Sequence, residues 1–235
     1  MTNKERKEAI DSILLPYLKE RGYKKNTDGP NTFYINRLAG VYHSFYYHVN
    51  SYGEIDNSLI GVSIRKIEEV IIEIGFPNIS ETMKLLLKEN KKNNFHNTVS
   101  DSSYNLSYFE KRKLEQRGMI SSHSDAVEYA NSAIEYLEIK GFPFAEWYSY
   151  IPNILEEINN LHLQGKYWTE LLDGVGSDYL FKGLLISKLC NDPKYFEKES
   201  YVEKELNSEV YYAKYLPYFE KAKELIKAVE PIYNL

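Results

Sequence analysis

Apolar positions recur with a helical period near the start of the chain. They lie three or four residues apart between Ile10 and Leu18, which predicts an amphipathic helix over residues 4–21. Gly22 suits the left-handed position that ends such a helix. Pro16 lies inside the pattern, and because proline removes a backbone donor we expect a kink or a break just before it.

The hydrophobic period then changes from 3.6 to two, which is typical of strands. The predicted strands cover residues 32–37, 41–50, 57–64 and 104–108. Short polar turns separate the first three, which indicates an antiparallel meander. We expect residues 26–30 to form a turn before the first strand and residues 90–100 to form an exposed, asparagine-rich loop.

Helical spacing returns over residues 64–89 and again from residue 121 to the end. The helices predicted in the second half cover residues 124–140, 144–161, 178–190, 193–206 and 209–231. We expect Gly141, Phe142 and Pro143 to end the first of these. The pattern predicts an α+β fold: a four-stranded antiparallel sheet packed with helices, followed by an all-helical C-terminal module. Placing the boundary in the polar stretch gives domains 1–115 and 116–235.

Aromatic content is the main compositional departure, with 22 Tyr, 10 Phe and 2 Trp among 235 residues. Tyrosine buries a large ring while its hydroxyl needs a partner, so we expect many of these rings to be half-buried. A net charge of −5 argues against a nucleic-acid-binding protein. We expect no membrane span, because no apolar run approaches the required length. The single cysteine and the polar N-terminus favour a cytoplasmic location.

The N-terminal part resembles a bacterial family, the domain-of-unknown-function family numbered 4304. The resemblance covers residues 5–75 and rests on the opening helix followed by three short motifs. These motifs are Arg21-Gly22-Tyr23-Lys24-Lys25, Asn31-Thr32-Phe33-Tyr34 and Gly61-Val62-Ser63-Ile64. The resemblance implies an α+β fold and a bacterial source, and it implies no activity.

Residues able to carry chemistry do not form a recognisable motif. His43 and His48 fall on one predicted strand, but residues five apart face opposite sides, so they are not expected to bind one ion. We assign His43 to the apolar face and Cys190 to a helix core. The glycine-rich turn 173–178 lacks a phosphate-loop pattern, and Ser177 or Asp178 is expected to cap the next helix. We therefore predict no metal and no cofactor.

Three classes of function remain open from the sequence. The first is a non-enzymatic protein-binding module, of the toxin-neutralising (immunity) type, that recognises a protein partner. The second is an enzyme in which His48 or His162 meets a carboxylate in a cavity, and the third is a binder of small ligands in an aromatic-lined pocket between sheet and helices. The predicted binding residues are Tyr42, Tyr46, His48, Trp147 and Tyr150. For the aromatic segment around Trp147 we favour a seam between modules over a partner site, and the oligomeric state is left open.

Overall fold

A computed structural model describes residues 1–28, 31–76, 97–102, 119–174, 176–208 and 210–235. The chain divides into two compact units. Unit 1 consists of Met1–Val62 and Ser100–Trp147, and unit 2 of Ser63–Val99 and Tyr148–Leu235. The boundary expected near residue 115 lies outside the described residues and stays a prediction.

In the described residues, all five strands lie in the first half of the chain and the second half is helical. The strands are β1 (Lys24–Asp28), β2 (Asn31–Arg37), β3 (Val41–Val49), β4 (Ile55–Ile64) and β5 (Val99–Ser102). The first helices are α1 (Asn3–Glu20), α2 (Arg65–Ile74), α3 (His123–Tyr136) and α4 (Phe142–Tyr148), with a π-helical turn at Leu137–Gly141. The later helices are α5 (Ile151–Leu163), α6 (Asp178–Leu189), α7 (Tyr195–Ser208), α8 (Val210–Ala213) and α9 (Leu216–Lys227), with a 3-10 turn at Trp168–Glu170.

The α+β class is confirmed, but the prediction of a four-stranded sheet is wrong. The sheet has five strands in the order β1-β2-β3-β4-β5, and β1 pairs antiparallel with β2, as β2 does with β3. The extra strand, β1, begins before the expected turn at residues 26–30. Val99 is buried in β5, so the prediction that an exposed loop extends to residue 100 is wrong as well. The strand expected at 104–108 lies outside the described residues.

Helix α1 follows the predicted pattern at both ends. Thr2 and Glu5 form a capping box at its N-terminus, which satisfies two free amide groups. The helix continues through Pro16, so the expected break is wrong. At the C-terminus Gly22 has a φ of +83°, and the amides of Gly22 and Tyr23 bond to the carbonyls of Lys19 and Leu18. This is the Schellman arrangement, in which glycine takes the left-handed position at least cost.

The core of unit 1 uses tyrosine hydroxyls to satisfy a buried carboxylate. Strand β3 alternates as predicted, with Phe45, Tyr47 and Val49 buried. Asp11 of α1 is also buried, and it accepts hydrogen bonds from Tyr34, from Tyr47 at 2.9 Å and from Lys25. A buried carboxylate is stable only when paired and hydrogen-bonded in this way.

The helix beginning at His123 does not end where the sequence predicts. A π-helical turn carries it past Gly141, and the Phe142 amide bonds to the carbonyl of Leu137, five residues earlier. Gly141 permits a close approach, because a Cβ there would lie 3.1 Å from the Leu137 side chain and 3.3 Å from that of Ile60, both tight contacts. Pro143 then falls in the first turn of α4, where a missing amide proton is tolerated.

Unit 2 is built around helix α6, of which almost every residue is buried. Helix α2 confirms the start of the helical segment expected at residues 64–89. It ends at Gly75, which has a φ of +79°. Residues 77–96 lie outside the described residues. The single helices expected at 144–161 and 209–231 are each two helices. Pro152 and Pro217 stand in the first turns of α5 and α9, where the second helix of each pair begins.

Candidate functional site

The most reactive set of side chains lines an open cleft in unit 1, here called the His43 cleft. Its volume is about 590 Å³, a size that suits a small organic ligand. Three segments form its walls. They are the end of α1 with Arg21 and Tyr23, the β2–β3 hairpin with Asn36 and His43, and the stretch from the π-helical turn into α4.

The Schellman end of α1 places Arg21 at the rim of the cleft. Its guanidinium lies 3.9 Å from the ring centroid of Tyr17 and forms an ion pair with Glu138. The Tyr17 hydroxyl donates to the same carboxylate. Arg21 and Glu138 therefore neutralise each other, and an aromatic face supports the cation.

Tyr23 follows the left-handed glycine and turns into the unit. Its side chain is 3% exposed, and its hydroxyl is buried with no hydrogen-bond partner among the described residues. Burial raises the pKa of Tyr23, and the negative charge of Glu146 raises it further, so the hydroxyl keeps its proton. A buried donor without an acceptor costs free energy of about 1–3 kcal/mol. This hydroxyl is the clearest unsatisfied group of the cleft.

His43 enters the cleft from β3, directly across from Asn36 of β2. Its side chain is 7% exposed. Burial lowers the pKa of His43, although the charge of Glu146 acts in the opposite direction. The imidazole is therefore neutral at physiological pH and carries one donor and one acceptor nitrogen. Asn36 is held in place, since its amide nitrogen donates to the Arg21 carbonyl oxygen at 3.1 Å.

Glu146 completes the site from helix α4. Its side chain is exposed, and none of the described residues donates a hydrogen bond to its carboxylate. Its charge acts on both Tyr23 and His43, which places the three groups around the same space. Phe142 adds an apolar wall, with its ring centroid 6.0 Å from that of Tyr23. The arrangement offers one negative charge, one protonated hydroxyl and one neutral imidazole to a bound molecule.

The described residues contain no group of three or more His, Cys, Asp or Glu placed to hold a metal ion.

The residues predicted for binding on the sheet lie elsewhere in unit 1. Tyr46 and His48 are half-buried on the face of β3 opposite to His43, as the period of two predicts. The Tyr46 ring lies 4.8 Å from that of Phe33 on β2. Tyr42 is 9% exposed, with the Arg37 guanidinium 5.9 Å from its ring centroid. Their role in binding stays a prediction.

The two predicted residues of the aromatic segment 142–152 fall in different units. Trp147 is the last residue of a segment of unit 1 and is 56% exposed. Tyr150 belongs to unit 2, is 48% exposed, and packs edge-on against Tyr233 with ring centroids 5.2 Å apart. Each ring is described within its own unit, and the choice between a seam and a partner site stays open.

Other reactive side chains of unit 2 are already engaged. His162 lies 3.6 Å from Glu197 and packs edge-on against Tyr201. Cys190 is buried as predicted, and burial raises the pKa of its thiol to about 12, which makes it a poor nucleophile. Ser177 stands before α6 as expected but makes no capping hydrogen bond, and Asp178 is the first residue of that helix.

A second cleft, of about 630 Å³, lies in unit 2 beside α7 and α9. Its base carries a buried ion pair between Asp192 and Lys198, with Ser187 accepting from Lys198 at 3.1 Å. Burial acts to raise the pKa of Asp192, but the hydrogen bonds from Lys198, Ser187 and the Lys194 amide, together with the charge of Lys198, lower that pKa overall. On the walls Lys223 and Glu220 pair at 2.6 Å. These four side chains are paired within the second cleft, whereas Glu146 of the His43 cleft has no ion pair among the described residues.

The fold and the His43 cleft together define an α+β protein with a polar surface site. No family model, no curated protein and no solved structure matches this chain. The resemblance to family 4304 therefore stays a prediction. None of the helices in the described residues has both the length and the apolar character needed to cross a membrane.

Sequence reasoning missed most of this site for one reason. It assigned His43 to the apolar face and weighed histidines only against neighbours in sequence. Arg21 lies more than 100 residues before Glu138 and Glu146 in the sequence, and the π-helical turn that brings in Glu146 has no periodic signal. The one available hint was the placement of Tyr23 directly after a helix-ending glycine.

Proposed function

We propose that this protein binds a small polar molecule in the His43 cleft. The observation that carries the proposal is the buried Tyr23 hydroxyl, which has no hydrogen-bond partner among the described residues and whose pKa the charge of Glu146 helps to raise. Proteins rarely leave a buried donor unsatisfied, and sites of ligand recognition are a common exception. We also propose that the protein is cytoplasmic, because its single cysteine is buried and free, as is common in a reducing compartment.

Because the imidazole of His43 is neutral, it can contribute to binding as a hydrogen-bonding group rather than as a charged group. A neutral imidazole beside a protonated phenol and a carboxylate can recognise a ligand through directional hydrogen bonds as well as through charge. The same three groups include a base and an acid, but ligand recognition needs only the hydrogen-bonding and charged groups that the cleft presents. Binding is therefore the function that the geometry supports best.

The test is a ligand screen with His43 as the reporter. The imidazole signals of the protein are recorded by NMR against a panel of small metabolites, and the signal of His43 is identified by its loss in His43→Asn. We expect specific compounds to shift this signal in a saturable manner. A panel that leaves the His43 signal unmoved would argue decisively against the proposal.

Two matched variants show whether a hit occupies the cleft. Leu38 lines it and is 45% exposed, so Leu38→Trp should fill the space and abolish binding. Leu163 is 72% exposed on unit 2, and Leu163→Trp should leave the affinity unchanged. Equal affinity in the two variants would place the ligand outside the cleft.

Protein recognition by the sheet face is the second candidate function. It is supported by the half-exposed aromatic pair of Phe33 and Tyr46, since such rings dominate the energetics of protein interfaces. A photo-crosslinking residue at position 46 should capture one partner in the cells that produce the protein. The same group at Tyr52, which is 76% exposed, is the control. Identical crosslinks from both positions would remove this candidate.

A further inference from the structure

The charges of the His43 cleft do not balance, and the imbalance indicates a class of ligand. Arg21 is the cation of the lining, and it is already paired with Glu138. Glu146 is left as a carboxylate without an ion pair among the described residues. A ligand that carries a carboxylate or a phosphate would meet this charge as a repulsion, whereas a cation would be attracted.

The hydroxyl of Tyr23 adds a second requirement. It is a protonated donor that lacks an acceptor, and it lies close enough to Glu146 for the carboxylate to act on its titration. A ligand oxygen would satisfy it, provided that this oxygen lies near the cationic group of the ligand.

We infer that the ligand of the His43 cleft is a small organic cation, a protonated amine that bears a hydroxyl or carbonyl oxygen next to it. The ammonium group pairs with Glu146, and the oxygen accepts from Tyr23. The carbon skeleton packs on the ring of Phe142. This inference rests on the proposed function, because it names the kind of molecule that the same cleft binds.

Three two-carbon probes with matched skeletons test the charge requirement. Ethanolamine is a cation at neutral pH, ethylene glycol is neutral, and glycolate is an anion. Each is small enough to enter a cleft of about 590 Å³. We expect ethanolamine to shift the His43 signal with an affinity about tenfold or more above that of the other two, as expected for one charge-assisted hydrogen bond.

Substitutions then assign the contacts. Glu146→Gln keeps the shape but removes the charge, and should weaken ethanolamine about tenfold. Glu156→Gln, an exposed carboxylate of unit 2, is the control and should have no effect. Tyr23→Phe should weaken ethanolamine roughly threefold to tenfold, as the loss of one neutral hydrogen bond does, without lowering the unfolding temperature. The unchanged unfolding temperature separates a ligand contact from a structural one.

The outcomes distinguish this inference from the proposal on which it rests. Glycolate or ethylene glycol binding as well as ethanolamine would overturn the assignment of a cation, as would an ethanolamine affinity that Glu146→Gln leaves unchanged. No shift with any of the three probes would overturn it too. If larger neutral or anionic metabolites still move the His43 signal, the cleft remains a ligand site. If no compound of the panel moves it, both fail together.

Discussion

At the scale of single residues, Asp11 shows how the tyrosine-rich composition is used. Its buried carboxylate accepts from Tyr34, Tyr47 and Lys25 at once. The half-buried rings that composition predicts are, in this part of the core, fully buried rings whose hydroxyls meet one acceptor. A single side chain from α1 thereby fixes the helix against β1, β2 and β3.

Removal of this acceptor should be costly. Asp11→Ala leaves two tyrosine hydroxyls and a lysine without their partner, and we expect it to lower the free energy of unfolding by about 3–4 kcal/mol. Asp11→Asn retains an acceptor oxygen and should cost clearly less. Urea denaturation of both variants measures the difference. Equal losses would mean that the charge, rather than the hydrogen bonds, is what stabilises the site.

A second buried carboxylate, Glu68 of α2, should make stability depend on pH. It is fully buried, 3.1 Å from Lys182, and accepts from Thr98 at 2.8 Å. Burial raises its pKa from 4.5 to about 7, although Lys182 acts to lower it. The folded state therefore holds a proton that the unfolded state has released above pH 4.5. The stability gained from Glu68 is complete below this pH and is lost as the pH rises through 7.

The comparison that isolates this effect is between the wild-type protein and Glu68→Gln. Lys182 also donates to the carbonyls of Asn97 and Asp173, each at 2.8 Å, so the variant keeps part of the local network. We expect the difference in unfolding free energy between the two proteins to change by about 2–3 kcal/mol between pH 5 and pH 8. A difference that stays constant over this range would show that Glu68 does not titrate there.

At the scale of helices and strands, the hydrophobic pattern predicted the elements that pack an apolar face into the core. It missed the elements that are held by backbone hydrogen bonds without such a face. Helices α1 and α2 and the buried face of β3 are evident because apolar periodicity specifies them. Strand β1 has the sequence Lys-Lys-Asn-Thr-Asp and carries no apolar signal, so its pairing with β2 could not be read from the pattern. The candidate site was missed for a related reason, since Glu138, Phe142 and Glu146 reach the cleft through the π-helical turn, which the pattern did not predict.

The π-helical turn offers a test at this scale. Deletion of Ile139, which is 73% exposed, should convert the turn into regular α-helix. One residue of an α-helix corresponds to a rotation of about 100°, so Glu146 and Phe142 would leave the His43 cleft. We expect the helical circular dichroism to be retained and ligand binding to the cleft to be lost. Ile139→Ala keeps the residue count and should bind normally; loss of binding in this control would contradict the role of the turn.

At the scale of the whole molecule, each compact unit is discontinuous in sequence. Unit 1 is interrupted by Ser63–Val99, and its second segment supplies α3, which packs on α1. Within unit 1 the Arg6 side chain donates to the Ile120 carbonyl at 2.7 Å, and the Tyr47 ring lies 5.9 Å from that of Tyr129. The chain must therefore return to each unit after leaving it.

Fragments cut at the boundary expected from the sequence provide a direct test. Residues 1–115 would lack α3 and would expose the side of α1 that packs on it. We expect this fragment to show no cooperative urea transition, whereas the full chain should unfold cooperatively. A sharp transition in the fragment would contradict this prediction and support an independent domain ending near residue 115.

The polar strand at the edge of the sheet has a consequence for behaviour at high concentration. An edge strand presents unpaired backbone groups onto which another chain can add, and this is a common route to aggregation. β1 occupies one edge, and its sequence offers two adjacent lysines and no apolar side chain. A second copy adding there would have to desolvate charged side chains and would gain no apolar contact from β1. Because β1 is polar, it shows no hydrophobic pattern in the sequence, and the same polar composition protects this edge of the sheet from self-association.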